Sequence, residues 1–343
     1  MLDSGFNRRA FLSGAACLAA VGTIPTLGAQ PRLEKTRLTL AVAGRSAFYS
    51  LPLTIAEQLG YFRAEGLELE IGEFANGSAD VVSGPYEQVI TLQSRGQRFE
   101  AFVVQGRSPA ISMGIATKTL PYYRSPRDLL GKRIGISAPA SLGHMVAASV
   151  LTRADMAAGD VSFLAVGSGA GALAALRSGQ LDALCNSDPV MTMLEQKGEV
   201  RIIADTRTLK GTLEVFGGPM PSHCLYAASE FVQKNPNTVQ ALTVAMVRGL
   251  KWLQTAGPGD IIKIVPEAYL LGDRALYLAS FNKLREAISP DGLMPDEGPR
   301  TVLRVIAGFD AAIRPEKIEL GRTYTNEFAK RAKAHLKVRS ASV

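Results

Sequence analysis

Side chains able to hold a small anion recur at the ends of apolar strand-like runs. Gly44-Arg45-Ser46, Ser83-Gly84-Pro85-Tyr86, Ser141-Leu142-Gly143-His144, Ser168-Gly169 and Ser187-Asp188-Pro189 each join such a run to a helix-like one. A helix start exposes unpaired N–H groups and partial positive charge, so it can grip an anion without a formal cation. A serine in this position is also the commonest plain helix cap, so each loop alone says little. Arg45 offers a bidentate partner for a carboxylate or sulfonate, or sits as a solvated loop arginine. Tyr49 and Tyr86 suit either a cleft wall or the core. His144 falls in a first helical turn, whose positive end opposes protonation, so a neutral ring that donates one hydrogen bond is expected. Glu87 and Asp188 belong to the same loops, Asp188 most simply as a cap ahead of Pro189.

Catalytic and metal constellations are missing from the sequence. There is no Gly-x-Ser-x-Gly elbow, no CxxC and no HExxH, and His144, His223 and His335 lie far apart. No cofactor and no metal are expected. Cys185 and Cys224 read as two buried free thiols, although an oxidising compartment would permit a disulfide. Lys and Arg are scattered except in the tail from Lys330 to Arg339, which argues against nucleic acid.

The elements that position these loops alternate. Leu38, Leu40 and Val42 form a strand, and a helix follows with Ser50 as cap and Pro52 in its first turn. Leu67, Leu69 and Ile71 alternate as the next strand, and Phe102-Val103-Val104 is another. Ser125-Pro126-Arg127-Asp128 restarts the rhythm with a good helix start. Ile134-Gly135-Ile136 and Val161 to Val166 are strands, with helices opening at Ser141 and after Ser168. Asn235-Pro236 opens a long helix with Val239, Leu242, Met246, Leu250 and Leu253 on one face. Such βα units imply an α/β fold built on mostly parallel sheets. Two lobes are expected: residues 32–118 joined by 212–343, and the contiguous stretch 119–211, with hinges near Gly106 to Tyr123 and Asp205 to Phe216. In open α/β sheets ligands sit off the carboxyl ends of the strands, so the loops above would face one another across a cleft.

Residues 1–29 read as a leader. Asn7-Arg8-Arg9-Ala10-Phe11-Leu12 has the paired arginines of a twin-arginine signal, followed by an apolar run to Ile24 and small residues up to Ala29. The run is too short for a bilayer core of about 30 Å and is broken by Gly14, Gly22 and Pro25. Lipid attachment at Cys17 is the rival, weakened because Gly14-Ala15-Ala16 lacks the expected leucine. Removing the leader takes 29 of 343 residues, leaving 314. It also removes two arginines and one aspartate, so the net charge of +7 becomes +6. At 47% hydrophobic and 20% charged, the whole chain is ordinary globular protein, and the remainder is long enough for two lobes. A periplasmic location is expected.

Several stretches resemble periplasmic solute-binding proteins of ABC importers, in the nitrate, sulfonate, taurine and thiamine-precursor group. They are Leu51-Pro52-Leu53-Thr54-Ile55-Ala56 through Gly60-Tyr61-Phe62, Gly77-Ser78-Ala79-Asp80-Val81-Val82-Ser83-Gly84, Asp128 through Ile136, Ala174 through Ala183, and Lys234-Asn235-Pro236. The resemblance implies a hinged two-lobe clamp of the type II periplasmic-binding-protein fold. It also implies capture of a small anionic or zwitterionic solute by a monomer, and delivery to a membrane permease with a cytoplasmic ATPase. The same fold serves thiamine-pyrimidine synthases, which carry a cysteine-rich cluster absent here, and a sensor module feeding a membrane kinase is the other alternative. One departure stands out. The family usually places a glycine-rich loop and a helix between the strand ending near Phe74 and Gly77, where this chain has only Ala75 and Asn76. The pocket is therefore expected to depend more on Gly44 to Tyr49 and on Ser83 to Tyr86.

Overall fold

The computed structural model describes residues 32–74, 78–270 and 272–341. The expected leader, with its paired arginines and Cys17, lies outside the described residues. So do Ala75, Asn76 and Gly77.

The chain opens with strand β1 (Arg37–Val42), helices α1 (Leu51–Gln58) and α2 (Tyr61–Ala64), and strand β2 (Glu68–Gly72). Leu38, Leu40 and Val42 alternate inward from β1, the period-2 pattern of a half-buried strand. Pro52 occupies the first turn of α1, where its missing N–H costs nothing. Ser50 does not cap this helix as expected; its hydroxyl donates to Gly44 O at 3.2 Å. Strand β3 (Val81–Pro85), α3 (Tyr86–Ser94) and β4 (Phe99–Val104) follow.

The chain then crosses to a second sheet. It runs through β5 (Ile111–Ala116), β6 (Arg133–Ile136), α4 (Leu142–Thr152), β7 (Ser162–Ala165), α5 (Ala170–Arg177), β8 (Ala183–Ser187), α6 (Val190–Gln196), β9 (Val200–Asp205) and α7 (Leu209–Phe216). The restart predicted at Ser125 is present as a 3-10 turn, in which Asp128 Oδ2 accepts from the Ser125 N–H at 2.9 Å. The return gives β10 (His223–Ala228), then α8 (Ser229–Lys234), α9 (Pro236–Thr255), α10 (Pro258–Ile264), α11 (Arg274–Leu284), α12 (Gly298–Phe309) and α13 (Glu327–Ala341).

Two five-stranded sheets result, ordered β2-β1-β3-β10-β4 and β7-β6-β8-β5-β9. In the first, β1 pairs parallel with β2 and β3, and β10 runs antiparallel between β3 and β4. In the second, β6 pairs parallel with β7 and β8, while β5 runs antiparallel between β8 and β9. Because β5 belongs to the second sheet, the first crossover is Gln105–Ala110, earlier than the boundary expected at 118. The crossovers are paired with each other: Ser222 N donates to Gly106 O at 2.9 Å, and Ala110 N to Thr206 O at 3.2 Å.

Sheet β2-β1-β3 accommodates the shortened link. Chain leaving β2 must pass β1 to enter β3, a crossover that normally takes a dozen or more residues and a helix. Here eight residues separate Gly72 from Val81, and those described, 73–74 and 78–80, belong to no helix. The register explains how so few suffice. Gly72 lies opposite Ala41 and Val81 opposite Leu40, so the chain moves sideways with almost no return along the strand. Lys35, Arg37, Glu68, Glu70 and Asp80 line a shallow depression on this side of the sheet. It is kept polar by the Lys35–Asp80 and Arg37–Glu68 ion pairs, at 2.6 and 2.8 Å.

The first core packs α1, α9 and α13 against the sheet, with Leu242, Met246, Leu250 and Leu253 of α9 fully buried as their spacing predicts. A second apolar cluster runs from Tyr86, Val89 and Ile90 of the first lobe to Met113, Ile134 and Val146 of the second, with Val302 and Ile306 of α12 among them. Helix α12 packs on both α3 and α4, behind the opening between the sheets. Cys185 and Cys224 are buried free thiols.

Candidate functional site

A cleft of about 650 Å³ lies between the two sheets. The first lobe contributes the end of β1 (Val42, Ala43), Phe48 and Tyr49, Glu73 and Phe74 beyond β2, Ser83 to Pro85 of β3, and Glu87 and Gln88 in the first turn of α3. The second lobe contributes Ser137 after β6, Ala140 to Gly143 at the start of α4, Ser168 ahead of α5, and Ser187 and Asp188 after β8. Parallel strands present their carboxyl ends here. Antiparallel β10 and β5 present their first residues, His223 and Ile111. The size is ordinary for a small-molecule site.

The cleft gathers most of the residues singled out from sequence: Tyr49, Ser83, Gly84, Pro85, Glu87, Ser141, Leu142, Gly143, Ser168, Ser187 and Asp188. The Ser83 hydroxyl accepts from Gln105 Nε2 at 2.9 Å. Ser141 caps α4 by accepting from His144 N at 3.3 Å. Ser187 N donates to the side-chain oxygen of Asn186 at 2.8 Å.

Arg45, Ser46, Tyr86 and His144 do not line it. Arg45 is engaged elsewhere: its guanidinium pairs with Glu57 of α1 and donates to Ile71 O at 3.0 Å. Ser46 is an exposed loop residue. Tyr86 is fully buried, with its hydroxyl bonded to Thr323 at 2.5 Å. The His144 ring packs against Phe163 and Phe309, with centroids 4.3 and 4.7 Å away. Burial, rather than the helix end, lowers its pKa, so the ring is neutral as expected, but its Nδ1 accepts from Ala140 N at 3.3 Å where a donated bond was expected, and its place is a supporting one beneath the loop.

Two walls of the cleft escape a reading by loops. One is aromatic: the Tyr49 and His223 rings stack at 4.2 Å, nearly parallel. Tyr49 is held there by a hydrogen bond to Ala43 O at 3.0 Å. Burial depresses the His223 pKa to about 4, so the ring is neutral at pH 7. The other is strained backbone. Ala110 and Ala140 both line the cleft and take left-handed φ of 58° and 57°. That conformation is costly for a residue with a Cβ and clusters at functional sites. No sequence signal marks an alanine for it.

Charge in the cleft is one-sided. Glu73, Glu87 and Asp188 line it, and no Lys or Arg does so among the described residues. Asp188 is paired with Arg207, which is 2% exposed and lies 3.4 Å away, and it also accepts from Thr192 N at 2.8 Å; burial raises its carboxyl above the ordinary range against the pull of the guanidinium. Burial alone would lower the Arg207 pKa. The hydrogen bonds to Asp205, with the charges of Asp188 and Glu195, hold it above the ordinary arginine value instead. Lys283 of α11 reaches Glu195 at 2.5 Å, tying this network to the other side of the cleft. Glu87 has no such partner. Its Oε2 is shielded from solvent and makes no hydrogen bond, and burial raises its carboxyl to about 7 against the pull of its own backbone N–H. Among the described residues no cluster of His, Cys, Asp and Glu could hold a metal, and no helix is long and apolar enough to cross a membrane.

Comparison with known proteins places this architecture. A solved structure from Bordetella bronchiseptica RB50 is 49% identical, covering 89% of this chain and 99% of that one, with a TM-score of 0.80. The alkanesulfonate-binding protein SsuA from Xanthomonas axonopodis pv. citri, solved bound to MOPS, is 18% identical over 86% of this chain and all of that one (TM-score 0.67). The periplasmic nitrate-binding protein NrtA from Synechocystis PCC 6803 is 14% identical over 89% and 90%, with a TM-score of 0.65. The desulfurization enzyme DSZB shares the fold more distantly (16% identity, 88% and 99% covered, TM-score 0.58). These last three show the periplasmic-binding-protein fold. The sequence profile described as NMT1/THI5 like matches residues 47–256, both lobes and most of the cleft. The protein is a member of the NMT1/THI5-like family.

Proposed function

We propose that the protein is the solute receptor of an ABC importer, exported to the periplasm by its twin-arginine leader. It captures a small molecule between the lobes and hands it unchanged to a membrane permease with a cytoplasmic ATPase. The observation that carries this reading is the make-up of the cleft. Strand ends and helix starts from both sheets face one another, so one small guest touching both sides favours a closed arrangement over an open one. Closure would turn about the paired crossovers Gln105–Ala110 and Thr206–Ser222. An acid group, of the sulfonate, nitrate or taurine kind, would meet the free N–H groups at the start of α4, where Ser141 and Gly143 line the cleft.

The enzyme reading finds less support. Both cysteines are buried outside the cleft lining, and burial pushes their thiols above the ordinary range, the reverse of a nucleophile's need. His223 is stacked rather than aimed at a hydroxyl or thiol.

The test is thermal denaturation of the mature protein against a broad panel of sulfonates, carboxylates, amines and sugars, with bound molecules recovered by native mass spectrometry. A ligand at about 100 times its Kd adds about 2.7 kcal/mol. With an unfolding entropy of about 2 cal/mol/K per residue, this is a rise of about 4 °C for a chain of this length. A panel without any stabilising member, or a ligand recovered chemically altered, overturns the receptor reading.

A further inference from the structure

Resting on the receptor reading, we propose that Glu87 is the specificity-determining residue of the cleft, that it receives a cationic nitrogen of the solute, and that a simple anion binds more weakly than a zwitterion. A carboxylate at a helix start would ordinarily be satisfied by exposed N–H groups of the first turn. Glu87 sits in the first turn of α3, yet its Oε2 is shielded from water without a hydrogen-bond partner. Buried polar atoms left unpaired are rare and expensive, and they need a reason. The groups around Glu87 do not supply one. The Cys224 thiol and Tyr226 hydroxyl feel its charge as a repulsion, and the Tyr226 hydroxyl is already donated to Gln88 at 3.0 Å. The remaining charged residues of the cleft, Glu73 and Asp188, are acids too. Asp188 has Arg207 to answer it, whereas Glu87 has no cation in the cleft, so the missing partner is assigned to the solute.

With the Glu87 side chain turned toward the cleft that it lines, an ammonium or amidinium group entering there would form a charge-assisted hydrogen bond in a poorly solvated site, where such bonds are strongest. A simple anion would meet an unneutralised like charge. The solute that satisfies both ends of the cleft is a zwitterion, with its nitrogen at Glu87 and its acid group at the opposite lobe.

Three probes built on the same three-carbon chain separate the terms: 3-aminopropanesulfonate, 1-propanesulfonate and propylammonium, titrated calorimetrically at pH 8 into wild type, Glu87→Gln and Glu87→Ala. Wild type should bind the aminosulfonate at least tenfold more tightly than propanesulfonate, and both variants should erase that preference. Melting temperatures at or above that of wild type would show that the variants fold, with two side chains guarding against failure of one. Equal or better binding of propanesulfonate by wild type overturns the proposal, as does a preference that survives in both variants. Binding of none of the three by wild type also overturns it for solutes of this size. The receptor reading falls separately, if the broad panel finds no ligand or returns one chemically altered.

Discussion

The unpartnered carboxylate makes a prediction about stability that needs no ligand. Burial raises Glu87 to about 7 from an ordinary 4.5. Between those values the folded protein keeps a proton that the unfolded chain has released, so stability falls as pH rises through the window. The loss above it is about 3 kcal/mol, at about 1.36 kcal/mol for each unit of pKa difference. His223 works in the opposite sense. Burial depresses it to about 4 from 6.5, so its contribution is complete above pH 6.5 and is lost as pH falls toward 4. The loss below that window is again about 3 kcal/mol. Across the interval the two nearly offset each other in wild type.

Glu87→Gln removes one of them. Ligand-free variant should exceed wild type in unfolding free energy by about 3 kcal/mol at pH 7.5, and the excess should shrink to near zero by pH 4. Urea denaturation followed by the fluorescence of Trp252, the single tryptophan, measures both proteins at each pH. Taking the difference at each pH cancels every other titrating group. A difference independent of pH, or one growing toward acid, would mean that the Glu87 carboxyl is ordinary in the folded state, and the reasoning would fail. A gain in stability on loss of a site residue is the usual mark of a group kept for function at the expense of the fold.

Two further perturbations test the frame that holds the cleft. Arg207→Ala leaves the wholly buried Asp188 without its counter-charge and should cost about 3–5 kcal/mol, seen as a melting temperature lowered by about 5–8 °C in calorimetry; a loss below about 1 kcal/mol would show that Asp188 finds its neutrality elsewhere. Gly211→Ala would place a Cβ 1.9 Å from Asp205 O, a backbone atom, so the start of α7 must shift. The expected cost is about 1–3 kcal/mol with faster amide exchange in α7, and an unchanged exchange pattern would refute the close approach.

Local rules made much of the fold legible. The alternation Leu38, Leu40, Val42, the Pro52 start of α1 and the apolar face of α9 each follow from one element's own pattern, and each stands as read. The serines of the cleft were found for the same reason: a loop between strand and helix stays at the strand's end whatever packs around it. What escaped depends on partners distant in sequence. Tyr86 follows β3 directly, but its ring is buried and its hydroxyl is taken by Thr323, 237 residues later. Arg45 is claimed by Glu57, a neighbour only once α1 folds back on its loop. His223 enters the cleft because β10 inserts antiparallel beside β3, a pairing no periodicity announces. Strand β5 hides for a related reason. It is buried on both faces, and Ser112 and Gly114 interrupt its apolar run, so Ile111–Ala116 reads as crossover.

The shortened β2–β3 link joins these threads. The resemblance implies a helix at this place in relatives, and a helix start there would offer the cleft unpaired N–H groups and partial positive charge. Here the chain slips past β1 in eight residues, and the wall beyond β2 is Glu73 and Phe74, an acid and an aromatic ring. On that reading the first lobe would lack one source of anion affinity, and Glu73 places a carboxylate there. Of the stretches Gly44 to Tyr49 and Ser83 to Tyr86, Ala47 to Tyr49 and Ser83 to Pro85 line the cleft, and what these present is a phenol–imidazole stack and backbone rather than Arg45. On the proposal above, a lobe built this way would take a flat or cationic end of a solute, and gripping of an acid group would fall to the second lobe, where Ser141 and Gly143 line the cleft at the start of α4. Inserting a helix-length segment after Phe74 should therefore shift selectivity toward simple sulfonates, and unchanged affinities together with an unchanged melting temperature would count against this division of labour.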